Sequence, residues 1–215
     1  MEESQPIILI GGGGHCKSVI DVLEMSEDFI IAGIIDKEGR VGEKVLGYDI
    51  IASDQHIEQV AADFSCFLIT IGQIESSATR ERFYQKVKEL GKDLAILVSP
   101  LAYVSDYAQL GEGTVVMHQA LVNAGAVLLC NTIINSKALV EHEAWIGDHC
   151  HIATGAIVNG DCQIGHHTLV GSHATIVQGV TIGEYIVIGA GAVVTRALFE
   201  PGIYVGAPAR KIRDL

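Results

Sequence analysis

The residues best suited to chemistry form a short run, Glu141-His142-Glu143, in which one imidazole stands between two carboxylates. Histidine titrates near neutrality, so it can take a proton from an attacking nucleophile at physiological pH. A carboxylate bonded to the other ring nitrogen would fix the tautomer and raise basicity. Neighbouring residues of an extended chain point to opposite faces, so this pairing needs a local irregularity or a neighbouring chain. A solvated histidine on a polar face would carry the same letters. The other place for chemistry is Gly11-Gly12-Gly13-Gly14, with Asp36-Lys37 and Gly72 further on.

The elements around those glycines read as a small α/β unit. Ile7–Ile10 is a short apolar run that stops at Gly11, and Cys16, Val19, Ile20 and Leu23 then make one helical stripe. Further strands are expected at Ile30–Ile35, ending at Asp36, at Phe67–Ile71, ending at Gly72, and at Leu94–Val98. A helix carrying Phe83, Val87 and Leu90 precedes the last. Strands alternating with helices imply a parallel sheet, whose ligands sit beyond the strands' carboxyl ends. Glycines there let the backbone approach a phosphate at a helix N-terminus, and a carboxylate after the second strand can accept bonds from a ribose or base. Gly12, Gly13, Gly14, Asp36, Lys37 and Gly72 are therefore candidate nucleotide-binding residues. A dinucleotide fingerprint would need glycine where Cys16 stands, which favours a nucleotide ligand other than NAD. A ligand-free glycine turn is the plain alternative.

The elements around His142 follow a different plan. From Val104 to Val194, every sixth residue is Leu, Ile or Val, at all sixteen positions. Two residues before each, fourteen of the sixteen are Ala, Thr or Cys, with Val180 and Ile186 the exceptions. A hexapeptide period belongs to a β-helix, in which three hexads make one 18-residue coil. About five coils are expected, with the aliphatic column inside and the small column at the corners. Glycine often follows the aliphatic residue, as at Gly147, Gly165, Gly171, Gly183 and Gly189. His149 and His167 stack on adjacent coils by this count, which opens a metal reading with Cys150 and Cys162 nearby. Both cysteines, however, occupy the small column, where packing explains them.

Composition bounds the partners. The 215 residues carry a formal charge of −12, with 6% aromatics and 24 glycines. That charge argues against nucleic acid, which requires a basic face. No stretch approaches the ~18 apolar residues of a membrane span, and the acidic Met1-Glu2-Glu3 start is unlike a signal peptide. Five cysteines without a CxxC pair suit reduced thiols, so a cytoplasmic location without membrane insertion is expected. Between 104 and 195 the only base is Lys137. The others of the second half, Arg196, Arg210, Lys211 and Arg213, gather at its end.

The hexads resemble those of the left-handed β-helix acyltransferases, and Tyr204-Val205-Gly206-Ala207-Pro208-Ala209-Arg210 resembles their closing motif. The glycine-rich first half and the segment Asn135–Glu143 narrow the likeness to the bacterial nucleotide-sugar N-acetyltransferases of the PglD type, relatives of the NeuD sialic-acid O-acetyltransferases. The resemblance implies a Rossmann-like parallel α/β domain over 1–100 and a left-handed parallel β-helix of hexapeptide repeats over 101–215. It implies acetyl-CoA as co-substrate, no metal, a homotrimer with sites between subunits, and a UDP-linked 4-amino-4,6-dideoxy sugar as acceptor. It places the general base at His142, its supporting acid at Glu143, and acetyl-CoA contacts at His151, Ser172 and Ala190. Asn135 and Arg210 are further candidates. Competing expectations are O-acetylation of a sialic acid or related sugar, a non-catalytic nucleotide-sugar-binding trimeric scaffold, and a metal enzyme of the carbonic anhydrase type.

Overall fold

The computed structural model describes residues 4–215, which divide into two compact units. The first comprises the described residues up to Gly72 together with Ala78–Leu97. The second comprises Gln73–Ser77 and Val98–Leu215. The short segment 73–77, which the sequence left without a place, thus belongs with the repeats.

In the first unit, β1 (Gln5–Ile10), α1 (Gly14–Met25), β2 (Phe29–Asp36), β3 (Lys44–Val45), β4 (Tyr48–Ser53), α2 (Ile57–Asp63), β5 (Cys66–Ile69), α3 (Ala78–Glu89) and β6 (Asp93–Leu94) form an α/β sandwich. The sheet order is β3-β4-β2-β1-β5-β6, parallel except for the β3–β4 hairpin. Ile7–Ile10 and Phe67–Ile69 are wholly or almost wholly buried, which accounts for their continuous apolar runs. The chain runs outward from β1 through β2 to β4, then returns to place β5 on the other side of β1. The carboxyl ends of β1 and β5 are therefore a switch point, the place where such sheets leave a crevice. Gly11–Gly14 and Gly72 follow those two strands.

The second unit is a parallel β-helix of three sheets with eight, six and five strands. Strands pair at an offset of 18 residues, as in Leu121–Leu139–Ile157–Thr175–Val193, until the last coil, where Val187 meets Ile203 at 16. From Val116 to Val194 the aliphatic column is at most 1% exposed and joins one core with Ala120, Ala138, Cys150, Ala156, Cys162 and Ala174 of the small column. The run Leu94–Val98 is not one strand. Leu94 ends β6 in the first unit, whereas Leu97–Val98, at the boundary of the two units, is the first strand of the eight-stranded sheet. From Gly113 to Gly191 each corner turns through one residue with left-handed backbone, including Asn131, Lys137, Glu143, His149, Asp161, His167 and Tyr185 at φ of 54–61°. Gly165 serves close approach: a Cβ there would stand 2.5 Å from the carbonyl carbon of Gly183 on the next coil. Among the described residues no helix is long and apolar enough to cross a membrane.

Candidate active site

His142 and Glu143 occupy the corner between the strand Leu139–Val140 of the six-stranded sheet and Trp145–Ile146 of the five-stranded one. Glu143 has φ of +56°, and this left-handed turn is the irregularity that lets adjacent side chains meet. Its Oε2 lies 2.8 Å from Nδ1 of His142. A carboxylate only accepts, so Nδ1 carries the hydrogen and Nε2 of the neutral ring keeps its lone pair. Glu141 is engaged elsewhere, accepting from Nδ2 of Asn123 at 2.9 Å and from the His142 N–H at 3.3 Å. The bond to Glu143, reinforced by the charges of Glu143, Asp161 and Glu141, holds the imidazole above its ordinary value.

Sequence reading overlooked Gly160, one coil on from His142. A Cβ at Gly160 would lie 2.6 Å from Cε1 and 2.7 Å from Nε2 of His142, so the ring rests in the space that glycine leaves. The signal was present, because 160 is 142 plus one 18-residue coil.

His151, Ser172 and Ala190 line one groove of about 450 Å³. Its floor is the outward column of the eight-stranded sheet, His151, Leu169, Val187 and Ile203, with Ile74 and Arg213 among its walls. Outward positions of a β-helix are ordinarily wet. Yet Leu169, Val187 and Ile203, with Ala153, form a separate apolar cluster at 7–8% exposure. The Nδ1–H of His151 donates to the Gln73 carbonyl at 2.9 Å, and Nδ2 of Asn135 lies 3.1 Å from its Nε2, donating to it. His142 and Glu143 do not line this groove; they stand at a different corner of the coil. The terminal bases also separate. Arg196, Arg210 and Lys211 line a second cleft beside Phe199, while Arg213 pairs with Glu75 at 2.8 Å on the main groove.

In the first unit, Gly13 is the N-cap of α1, with no side-chain cap and no acid in the first turn. A Cβ at Gly13 or Gly14 would meet nothing within 4 Å, so this helix start, with its N–H donors, stands open. Asp36 is already engaged: it accepts from the backbone N–H of Gly12 at 3.1 Å and of Lys37 at 2.9 Å. Arg40, another residue the sequence reading missed, bonds Asp36 and donates to the Gly12 carbonyl at 3.0 Å. Gly72 approaches Cβ of His15 at the end of β5.

The histidines that raised a metal reading stack instead. His149 and His167 lie 5.0 Å apart with rings 22° from parallel, and Tyr185 continues the column at 4.5 Å. Their Nδ1 atoms bond Asn131 and Ser77, each at 2.8 Å, so the ring planes run alongside each other rather than converging. Among the described residues no group of three or more His, Cys, Asp or Glu is arranged to hold a metal ion.

Comparison with known proteins identifies both units. The PglD N-terminal domain matches residues 6–87, and the bacterial transferase hexapeptide family, as six repeats, matches residues 161–196. A histidine-to-asparagine variant of perosamine N-acetyltransferase from Caulobacter crescentus, crystallised with CoA and GDP-perosamine, is 30% identical over 97% of both chains, with a TM-score of 0.91. The acetyltransferase domain of PglB from Neisseria gonorrhoeae is 29% identical over 97% of this chain and all of its own, at 0.88. WeeI from Acinetobacter baumannii is 25% identical over the same shares, at 0.78. An open glycine turn on an α/β sheet, a hexapeptide β-helix and this likeness along nearly the whole chain give one answer: the chain is an acetyltransferase and belongs to the PglD-type sugar N-acetyltransferases.

Proposed function

We propose that the chain transfers an acetyl group from acetyl-CoA to the amine of a nucleotide-linked 4-amino-4,6-dideoxy sugar, with His142 as general base. The observation that carries this reading is the His142–Glu143 pair at 2.8 Å, which leaves Nε2 as the free basic nitrogen. As the amine attacks the thioester carbonyl, a C–N bond forms and the C–S bond breaks. His142 Nε2 takes the amine's proton, and Glu143 stabilises the imidazolium that results. The proton then goes to the departing thiolate, so neither metal nor covalent enzyme intermediate takes part.

The residues of the groove fit the donor. A floor of Leu169, Val187 and Ile203 suits the methylenes of a pantetheine arm, and Ser172 and Ala190 lie along the same path. Arg210 in the terminal cleft is a candidate for the donor's phosphates. A crystal of the gonococcal PglB domain holds acetyl coenzyme A, which supports the same donor here. The base stands at another corner of the coil from this groove, so one chain alone does not bring them together. A homotrimer in which each site takes its base and its donor groove from different subunits meets that requirement.

The nucleotide belongs on the open start of α1, with Gly12–Gly14 and Gly72 facing the phosphates and Asp36-Lys37 near the base or ribose. The family resemblance favours UDP. GDP is a second reading, because the Caulobacter relative was crystallised with GDP-perosamine. Mass spectrometry of the products from a panel of UDP- and GDP-linked amino sugars with acetyl-CoA separates the two, and hydroxyl acceptors in the same panel test O-acetylation. His142→Ala should abolish transfer while the oligomer persists in size-exclusion chromatography. Near-normal turnover in that variant would sink the assignment of the base.

A further inference from the structure

Arg80, in the first turn of α3, is a cation only 1% exposed. Its Nη1 donates to two backbone carbonyls, Ile69 at 2.9 Å and Ile71 at 2.7 Å. Burial pulls its pKa down to about 9, so it stays charged at neutral pH. A charged donor bonds a carbonyl roughly twice as strongly as a neutral one. The location is the outer edge of β5. The edge strand β6 pairs β5 at Cys66 and Phe67 and then ends, and Arg80 takes the next two outward carbonyls.

Each of those carbonyls shares a trans peptide with a following N–H that points the opposite way. Beyond Ile69 it is the Thr70 N–H, which donates to the Ile10 carbonyl of β1 at 2.9 Å. Beyond Ile71 it is the Gly72 N–H, and the same alternation aims it to the β1 side, where that strand has given way to the glycine turn. Two contacts tie this strand end to the turn. The Thr70 hydroxyl donates to the Gly11 carbonyl at 2.5 Å, with Cys16 of α1 beside the same hydroxyl. Ile71 packs so closely on Gly11 that a Cβ there would overlap its Cγ1. We propose that Arg80 is a positioning residue for the nucleotide diphosphate: its clamp on the Ile69 and Ile71 carbonyls aims the Gly72 N–H at the phosphates and holds Thr70 against Gly11. This rests on the reading of the glycine turn as the nucleotide site.

Arg80→Met and Thr70→Val break this chain of contacts at two points. Methionine removes both donated bonds, whereas valine keeps the shape of threonine and removes only the hydroxyl. Calorimetry would compare UDP, GDP and coenzyme A on wild-type protein and variants, beside hydrogen exchange of the ligand-free proteins read by mass spectrometry. The expected result is about tenfold weaker binding of the nucleotide that wild type accepts, with coenzyme A affinity unchanged. Exchange should quicken in peptides covering Gly11–Cys16 and Thr70–Gly72 and keep its wild-type rate in the rest of β1 and β2. Unchanged nucleotide affinity in either variant overturns the proposal. So does exchange quickened throughout the sheet of a folded variant, which would mean that the contacts only hold the unit together. Should Arg80→Met fail to fold, Thr70→Val decides by the same criteria. Wild-type protein that binds neither UDP nor GDP overturns the nucleotide-site reading instead, and is recognisable because it precedes any effect of a substitution.

Discussion

Gly160→Ala isolates the placement of His142 from every other property of the site. The added Cβ would stand 2.6 Å from Cε1, 2.7 Å from Nε2 and 3.1 Å from Nδ1 of the imidazole, where ordinary contact begins at 3.4 Å. The ring must therefore retreat by about 0.8 Å or more, and the 2.8 Å bond to Glu143 stretches or breaks with it. A displacement of ~1 Å in a catalytic group costs on the order of 10²-fold in rate. The fold has no reason to suffer. Gly160 does not use the left-handed backbone region, and the His142 side chain is 48% exposed, so it can swing into solvent. Alanine should even add about 0.4–1 kcal/mol by restricting the unfolded chain. The assay is steady-state turnover with acetyl-CoA and an accepted amino sugar, run beside thermal unfolding of the same preparations. A fall in kcat of about 10²-fold with an unchanged or raised Tm is expected. Wild-type turnover with an intact Tm would refute the claim that the His142 ring reacts from the position it holds over Gly160.

Two further outcomes follow from titration. The Glu143 bond is the largest cause of the raised His142 pKa, and a raised pKa keeps the base protonated, hence inactive, up to a higher pH. In Glu143→Gln the acidic limb of the pH–kcat profile should therefore move to lower pH while the plateau falls; an unmoved limb would show that His142 does not titrate in the reaction. Burial pushes the thiols of Cys16 and Cys66 up to about 11 and that of Cys150 to about 12, and it also raises Cys162. Iodoacetamide at pH 8 should thus leave these four unmodified in the native protein and reach only the partly exposed Cys130, as peptide mass spectrometry would report.

The repeats were legible because a β-helix writes its geometry into the chain. One inward residue and one tight corner per hexad leave two columns, and both appear in the core. The α/β unit was legible only where strands are buried on both faces, as at Ile7–Ile10 and Phe67–Ile69. The edge hairpin of β3 and β4 mixes exposed and buried positions and carries no continuous apolar signal, and α2 is too short to show a stripe. Within the site, His142 could be named from its type and its acidic flanks, and Glu143 from the family resemblance, whereas their contact depends on the backbone turn at Glu143. Gly160 was within reach of simple addition. Arg40 lies four residues beyond Asp36, but its bond to the Gly12 carbonyl joins separate loops and depends on the sheet order. Gln73 had no readable signal, since its carbonyl meets His151 only once the segment has been packed against the coils.

The 18-residue offset repeated from coil to coil also bears on how the second unit comes to be folded. Each new coil before the last closes a loop of one length, and the entropy of that closure is the same at each of those steps. No pairing must wait for a distant part of the chain, unlike the sheet of the first unit, where β1 pairs β5 across nearly sixty residues. Assembly can start at any coil and spread in both directions, as a zipper closes. A defect in one coil then weakens chiefly that coil and its two interfaces, so the cost of a substitution at the His142 corner should stay local to its own and the neighbouring coils.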